Sequence, residues 1–238
     1  MTRLRRAVSF WCCTLLLAVV AAGVSPAEAV EAETNSLIPP GKGLFGSHEF
    51  RSSLKALPNW TRVLAAAESQ VREMSACSPA QGNCSAAALS WQKILREARG
   101  LHGVEQLRTV NSFFNRWPYR LDIDVYGVSE YWATPREFLQ LSGDCEDYSI
   151  TKYYALRQLG VPVDRMRIVM LTDAIRGIAH AVLAVTQGEQ TYVLDNVSDL
   201  VLPHTKYEHY VPQYSVNERF RWAHISPASV RQGLNPIP

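Results

Sequence analysis

The spacing of the apolar residues changes once along the chain, and this change limits the possible fold more than any other feature. From Trp60 to Gly160 apolar side chains recur every three to four residues, as at Val63, Leu64 and Ala67, which is the spacing of amphipathic helices. After Pro162 they form short β-branched or aromatic runs separated by turns, which is typical of antiparallel strands. Helices followed by strands predict an α+β domain with an antiparallel sheet.

Individual elements follow from this pattern and from the breakers between them. Helices are predicted at residues 60–76, 86–100 and 104–117, at a short segment opened by Thr134 and Pro135, and at residues 145–159. Strands are predicted at residues 166–171, 179–185, 191–194, 200–202 and 219–223. Between the two groups, residues 121–127 are predicted to form a short extended piece.

The first 29 residues have the pattern of a cleavable secretory signal. Three arginines precede an apolar run over residues 7–24, and Ala27-Glu28-Ala29 offers a small-residue cleavage pattern. An uncleaved inner-membrane anchor is the alternative, although the run is barely long enough to span a bilayer. A lipoprotein is disfavoured because Cys12 and Cys13 precede the leucines of the run. We expect an exported chain that does not insert into the membrane after cleavage.

The mature chain divides into an arm and one domain. Residues 30–58 have little apolar periodicity and include Pro39-Pro40-Gly41, which predicts an N-terminal extended arm. Residues 59–238 suit a single domain. Removal of residues 1–29 changes 24 basic and 22 acidic residues to 21 of each, because three arginines and Glu28 leave. A neutral mature chain does not predict a nucleic-acid partner.

Three cysteines remain after the signal. Cys77 and Cys84 flank a polar, turn-rich loop, and in an oxidising compartment this pattern predicts a disulfide between the first two helices. A zinc pair is the alternative, but two further ligands at a recognisable spacing are missing. Cys145 is left over, at the first turn of a predicted helix, where free N–H groups and the helix dipole stabilise a thiolate. A packing role is the alternative for a lone cysteine.

A thiol nucleophile needs an imidazole to take its proton and a third group to orient that imidazole. If residues 188–189 form the tip of a hairpin, Val182 lies opposite Asp195. His180 is then on the same face as Val182 and is a diagonal neighbour of Asp195. A register slip of one residue would separate the two side chains. The sequence therefore predicts a catalytic group of Cys145, His180 and Asp195.

Several motifs in this order resemble the bacterial transglutaminase-like cysteine proteinases, the LapG-type periplasmic proteases. The resemblance covers roughly residues 45–225, and its most specific element is Gly143-Asp144-Cys145-Glu146-Asp147-Tyr148. The other matching segments are Tyr131-Trp132-Ala133-Thr134-Pro135, Leu156-Arg157-Gln158-Leu159-Gly160-Val161-Pro162, His180-Ala181-Val182-Leu183 and Val193-Leu194-Asp195-Asn196. One departure is Tyr126, where the family pattern has a tryptophan.

The resemblance implies a papain/transglutaminase-like core in which Cys145 is the nucleophile, His180 the general base and acid, and Asp195 the residue that orients His180. It also implies a periplasmic enzyme that depends on calcium. The implied substrate is a large surface adhesin, cleaved near its N-terminus at a di-alanine site, so that biofilm disperses. The implied regulator is an inner-membrane cyclic-di-GMP receptor that sequesters the protease.

The carboxylates beside the nucleophile are the candidate calcium ligands. Asp144, Glu146 and Asp147 suit a helix N-terminus, which is a sufficient structural explanation. However, three negative charges near Cys145 would raise its thiol pKa, and a hard cation such as calcium would remove that conflict. Asp144 and Glu146 match the calcium-associated positions that the resemblance implies. We expect them to be the principal ligands, with Asp147 as a third and the segment of Asp122 and Asp124 as a further source.

Two other functions stay open at this stage. The same thiol, imidazole and carboxylate could serve a protein-crosslinking transglutaminase or an amidase, because such a group catalyses acyl transfer without specifying the acceptor. A catalytically inert adhesin-binding module is the alternative from a different class.

Overall fold

The structure, a computed structural model, describes residues 43–225; the predicted signal peptide and residues 30–42 of the predicted arm lie outside this range. The helices are α1 Pro58–Ala76, α2 Ala86–Ala98, α3 Gly103–Phe114, α4 Asp122–Val125, α5 Pro135–Leu141 and α6 Cys145–Gln158. The strands are β1 His48–Ser52, β2 Met166–Asp173, β3 Ile178–Gln187, β4 Gln190–Leu194, β5 Leu202–Pro203, β6 Tyr210–Val216 and β7 Arg221–Ile225. The predicted α+β class is confirmed.

All seven strands form one antiparallel sheet in the order β1-β7-β6-β2-β3-β4-β5. The main core contains buried residues of α1, α2, α3, α5 and α6 together with inward-facing residues such as Ile168 and Leu183. Alternate strand residues, among them Val169 and Val182, form a smaller apolar cluster with Leu44 and Tyr210. Side chains alternate between the two faces of a sheet, so the sheet separates these two clusters.

Helix α6 lies at the centre of the domain and packs against α3, α5, β2 and β3. Eleven consecutive residues, from Glu146 to Leu156, are buried. Because every side of α6 is covered, polar side chains such as Thr151 and Lys152 are buried along with the apolar ones. The helix stops at Gly160, whose φ of 93° is readily adopted only by glycine.

Residues 121–127 differ from the prediction, because they contain the one-turn helix α4 instead of an extended piece. The backbone N–H of Tyr126 donates to the carbonyl oxygen of Asp122 at 2.7 Å, which closes the turn. An alternation of apolar and acidic residues over so few positions fits a single helical turn as well as a strand. The prediction was therefore wrong for this element.

Two strands were not predicted. Strand β1 lies in the region assigned to the arm and pairs with β7, so the end of that region contributes to the sheet. Strand β6 contains Pro212, which argues against an interior strand. The sheet tolerates this proline because the register of β6 with β2 shifts between Met170 and Leu171, and because β7 pairs only with the far end of β6, from Tyr214 onward.

The predicted disulfide between Cys77 and Cys84 is confirmed, with 5.2 Å between the two Cα atoms. It closes the loop between α1 and α2.

Within residues 43–225 no helix has the length and apolar character needed to cross a lipid bilayer.

Candidate active site

Cys145 is the first residue of α6, and the chain around it is shaped by the helix cap. The Asp147 carboxylate accepts a hydrogen bond from the Asp144 backbone N–H at 3.2 Å, as part of a capping box. A Cβ atom on Gly143 would lie 2.0 Å from an Asp147 carboxylate oxygen, so only glycine fits there. Ser142 has a φ of 68°, a strained value for a residue with a side chain. The nucleophile candidate therefore sits on a tightly constrained turn.

Strand β3 has an open edge beside Cys145. Strand β4 pairs with β3 only from Leu183 onward, which leaves residues 178–182 without a strand on that side. Helix α6 packs against β3, and the backbone of Ala181 lies close enough to the Cys145 sulfur to oppose the rise of the thiol pKa. His180 precedes Ala181 directly. The open edge therefore brings Cys145 beside Ala181, the residue that follows His180 on β3.

The predicted hairpin register is confirmed. Gln187 pairs with Gln190 and Leu183 with Leu194, and Gly188 turns the chain with a φ of 61°. One residue beyond the last pair, an Asp195 carboxylate oxygen lies 3.0 Å from Nε2 of His180, and both side chains are buried. Because Nε2 contacts Asp195, Nδ1 is the His180 nitrogen left to exchange a proton with a thiol.

The Asp195 carboxylate is fully hydrogen bonded. It accepts from the Tyr210 hydroxyl at 2.5 Å and from the Val197 backbone N–H at 3.0 Å, in addition to its contact with His180. Burial raises the pKa of Asp195, but the hydrogen bond and charge of His180, with the two other donors, outweigh burial and leave the pKa below its usual value. Sequence reasoning missed Tyr210 because it lies on the unpredicted strand β6.

Four carboxylates and Cys145 form two overlapping groups. Ligand atoms of Asp122, Asp144 and Asp147 lie within 4.8 Å of one another, and so do those of Asp144, Cys145 and Glu146. Asp144 belongs to both groups. The predicted ligands are therefore brought together, and Asp122 from α4 joins them. Asp124, also a predicted source, is exposed and belongs to neither group.

The hydrogen bonding of this cluster is incomplete. One oxygen of Asp122 accepts from the Tyr131 backbone N–H, and Asp147 accepts from the Ala133 and Asp144 N–H groups. The Oδ1 atoms of Asp122 and Asp144, however, are buried without a hydrogen-bond partner. A buried carboxylate oxygen without a donor is costly, whereas a hard cation would coordinate it. The carboxylate oxygens of this cluster are therefore suitable ligands for a hard cation such as calcium.

The pKa values of these groups also show that their negative charge is not compensated within the protein. Burial, followed by contact with Asp144, raises the pKa of Glu146 well above its usual range, and burial raises that of Asp147 in the same direction. Burial also raises the pKa of Asp122 to about 6. Burial and the charges of Glu146 and Asp144 raise the pKa of the Cys145 thiol. A divalent cation among these oxygens would reverse each of these effects.

The chain matches known proteins over most of its length. The family model of the bacterial transglutaminase-like cysteine proteinases matches residues 65–230. A search of curated proteins gives no match. A structure of Legionella pneumophila LapG is 29% identical, with a TM-score of 0.56 over 68% of this chain and 92% of that one.

Two further structures of the same Legionella protein are similar to this chain. An EGTA-treated form is 28% identical, with a TM-score of 0.55 over 67% of this chain and 91% of that one. A calcium-bound form is 29% identical, with a TM-score of 0.54 over 65% of this chain and 86% of that one. The matched family model covers α2 to β7, including every residue of the site described above. The chain belongs to the bacterial transglutaminase-like cysteine proteinases.

Proposed function

We propose that the protein is a calcium-dependent periplasmic endopeptidase with Cys145 as nucleophile, His180 as general base and acid, and Asp195 as the residue that orients His180. The observation that carries the proposal is the hydrogen bond of 3.0 Å between His180 and Asp195, next to the Ala181 N–H that contacts Cys145. Nucleophile, base and orienting group are the three parts that thiol acyl transfer requires.

The proposed reaction runs through an acyl-enzyme. Nδ1 of His180 takes the thiol proton, and the thiolate attacks the carbonyl carbon of the scissile peptide bond. The backbone N–H of Cys145, at the start of α6, is placed to donate to the resulting oxyanion. His180 then gives its proton to the leaving amine, and a water molecule deprotonated by His180 hydrolyses the thioester. Asp195 stabilises the imidazolium in both half-reactions.

Asp122, Asp144, Glu146 and Asp147 are the residues proposed to hold calcium. A calcium ion held by them would add positive charge beside Cys145 and so would favour the thiolate that burial and the carboxylates oppose. The calcium-bound and EGTA-treated structures of the similar Legionella protein support this assignment. The two unpartnered oxygens, on Asp122 and Asp144, support it from within this chain.

The proposed substrate is a large surface adhesin cleaved near its N-terminus at a di-alanine site, and the proposed regulator is an inner-membrane cyclic-di-GMP receptor. Family resemblance supports both, and the export signal in the sequence supports the periplasm. Exposed apolar side chains near the site suit an extended polypeptide better than a small amide: Ile175 and Ile178 precede His180, and Val197 and Leu200 follow Asp195.

The test is cleavage of an adhesin N-terminal fragment by the wild type and by Cys145→Ala. Ser69→Ala, which alters an exposed hydroxyl on α1, is the matched control. We expect cleavage by the wild type and by the control, and none by Cys145→Ala. Full cleavage by Cys145→Ala would refute the mechanism.

Two parallel assays separate the alternatives. Incorporation of a labelled primary amine into protein would favour a transglutaminase, because the same acyl-enzyme would then be resolved by an amine. Failure of Cys145 to react with iodoacetamide in the calcium-loaded folded protein would favour an inert binding module.

A further inference from the structure

Lys152 is a buried lysine that the catalytic scheme leaves unused. It lies in the middle of α6, is 1% exposed, and its ammonium donates to Oδ1 of Asn115 at 2.7 Å. None of the salt bridges of residues 43–225 includes it. Burial lowers the pKa of Lys152 to about 7, while the charges of Asp195 and Asp199 act to raise it. Burying an ammonium without a carboxylate partner is unfavourable for folding.

Asn115 links Lys152 to the segment that carries Asp195. Its Nδ2 donates to the carbonyl oxygens of Asp195 at 3.0 Å and Ser198 at 3.1 Å, and to the Asp199 carboxylate at 2.9 Å. An amide side chain has one oxygen that accepts and one nitrogen that donates. The Lys152 donor on Oδ1 therefore fixes the orientation in which Nδ2 faces residues 195–199.

The sheet alone does not hold Asp195. The last residue pair between β3 and β4 is Leu183 with Leu194, so the Asp195 carbonyl lies just past the ladder. The Asn115 amide hydrogen bonds this carbonyl oxygen in place of a neighbouring strand. Lys152 is seven residues beyond Cys145, which places both on the same side of α6 about two turns apart. One helix thus carries the nucleophile and the support of the orienting carboxylate.

We propose that Lys152 and Asn115 are positioning residues for the reaction, which hold the Asp195 segment so that its carboxylate stays aligned with His180. The inference rests on the proposed function, since it gives Asp195 the orienting role. A misaligned Asp195 stabilises the imidazolium less well, and the Cys145 thiolate then forms at higher pH. Substrate binding does not depend on Lys152, because this side chain is buried under the site.

The experiment compares three variants of the calcium-loaded protein. Lys152→Met removes the ammonium and keeps the length of the side chain. Asn115→Asp keeps an acceptor for Lys152 but removes the donor to the Asp195 carbonyl. Thr151→Val is the matched control, because Thr151 is the neighbouring buried residue on α6 and its hydroxyl has no hydrogen-bond partner.

Three quantities are measured: kcat and KM for the adhesin fragment, the pH midpoint of Cys145 alkylation by iodoacetamide, and Tm. For Lys152→Met and Asn115→Asp we expect kcat to fall by about 10- to 100-fold, the size of effect found for residues that orient metal ligands in other proteins, with KM nearly unchanged. The alkylation midpoint should move to higher pH. Thr151→Val should match the wild type, and Tm of Lys152→Met should not fall, because apolar replacement of a buried charge is often neutral or stabilising.

Wild-type kcat in Lys152→Met would overturn the proposal, and so would a fall in kcat with no shift of the alkylation midpoint. If Lys152→Met does not fold, Asn115→Asp decides by the same criteria. The alkylation midpoint needs no substrate, so it tests positioning even if cleavage persists in Cys145→Ala and the proposed function fails.

Discussion

The carboxylate of Asp195 and the carboxylate cluster at the start of α6 are both buried but have opposite environments. Asp195 accepts hydrogen bonds from Tyr210 and Val197 and contacts His180, and its pKa is lowered. At the start of α6, Glu146 and Asp147 have raised pKa values in a cluster where two carboxylate oxygens lack any donor. The same chemical group is therefore stabilised as an anion in one place and destabilised in the other.

The difference shows which part of the site the chain completes by itself. The groups that stabilise the Asp195 carboxylate all belong to the protein, so its alignment depends on hydrogen bonds within the protein. The cluster around Asp144 has more negative charge than the nearby donors can neutralise, so its completion depends on a cation from solution. Catalysis should accordingly respond to mutation at the first group, and to calcium at the second.

The largest effect is expected at the catalytic group. Cys145→Ala and His180→Ala should abolish cleavage, and Asp195→Asn should lower kcat by about 10⁴-fold, because an amide cannot stabilise the imidazolium as a carboxylate does. Saturating calcium should not restore Asp195→Asn, since the defect lies in the group completed by the fold. The measurement is kcat at saturating calcium. Wild-type turnover in Asp195→Asn would remove it from the mechanism.

Calcium removal should have the next largest effect. A calcium-selective chelator should lower the cleavage rate by about 100-fold or more, and calcium should restore it better than magnesium, because clustered flexible carboxylates suit the larger ion. Asp144→Asn should raise the calcium concentration needed for half-maximal rate. Asp124→Asn, an exposed acid outside the cluster, should behave as wild type. If protein shown to be metal-free cleaves at the undiminished rate, the carboxylates at the start of α6 are explained by helix capping alone.

Calcium affinity should depend on pH. Burial raises the pKa of Asp122 to about 6, so this carboxyl is protonated below that pH and calcium must displace the proton. The dissociation constant should therefore increase by about 10-fold for each pH unit below 6 for every proton displaced. Isothermal titration with calcium at pH 5 and pH 7 measures this change. Asp122→Asn should bind more weakly and show a smaller pH dependence; an equal dependence would exclude Asp122 as a ligand.

A smaller effect is expected from the hydroxyl that contacts Asp195. Tyr210→Phe removes one donor, which raises the pKa of Asp195. It should lower kcat by about 5-fold, corresponding to roughly 1 kcal/mol. The calcium concentration for half-maximal rate should stay the same, because Tyr210 does not belong to the carboxylate cluster. A shift in that concentration would show that the two groups are coupled.

The smallest effect on activity is expected from the disulfide. Cys77→Ser with Cys84→Ser should lower the free energy of unfolding by roughly 2–3 kcal/mol, because the bridge restricts the unfolded chain, while kcat stays the same. Urea denaturation measures the stability. A loss of activity in conditions where the variant is fully folded would mean that the bridge supports the site.

Local rules were enough for much of the site. The start of α6 follows from its cap residues, and the His180–Asp195 contact follows from the two-residue turn at Gly188, because turn length sets the register of a hairpin. The Cys77–Cys84 bridge follows from a short polar loop in a chain whose sequence predicts export. The catalytic roles of Cys145, His180 and Asp195 stay a prediction, but the sequence placed these residues on the correct elements.

Tertiary structure alone decided which distant groups complete each part. Tyr210 contacts Asp195 because β6 lies beside β2. This strand was not predicted, because Pro212 argues against an interior strand. The sequence named both Asp122 and Asp124 as a further source of ligands, and only the position of α4 shows that Asp122 joins the carboxylates and Asp124 does not. Lys152 is linked to residues 195–199 through Asn115 at the end of α3. Sequence periodicity gives the spacing of residues along one element, whereas these contacts depend on how separate elements pack, so local patterns do not specify them.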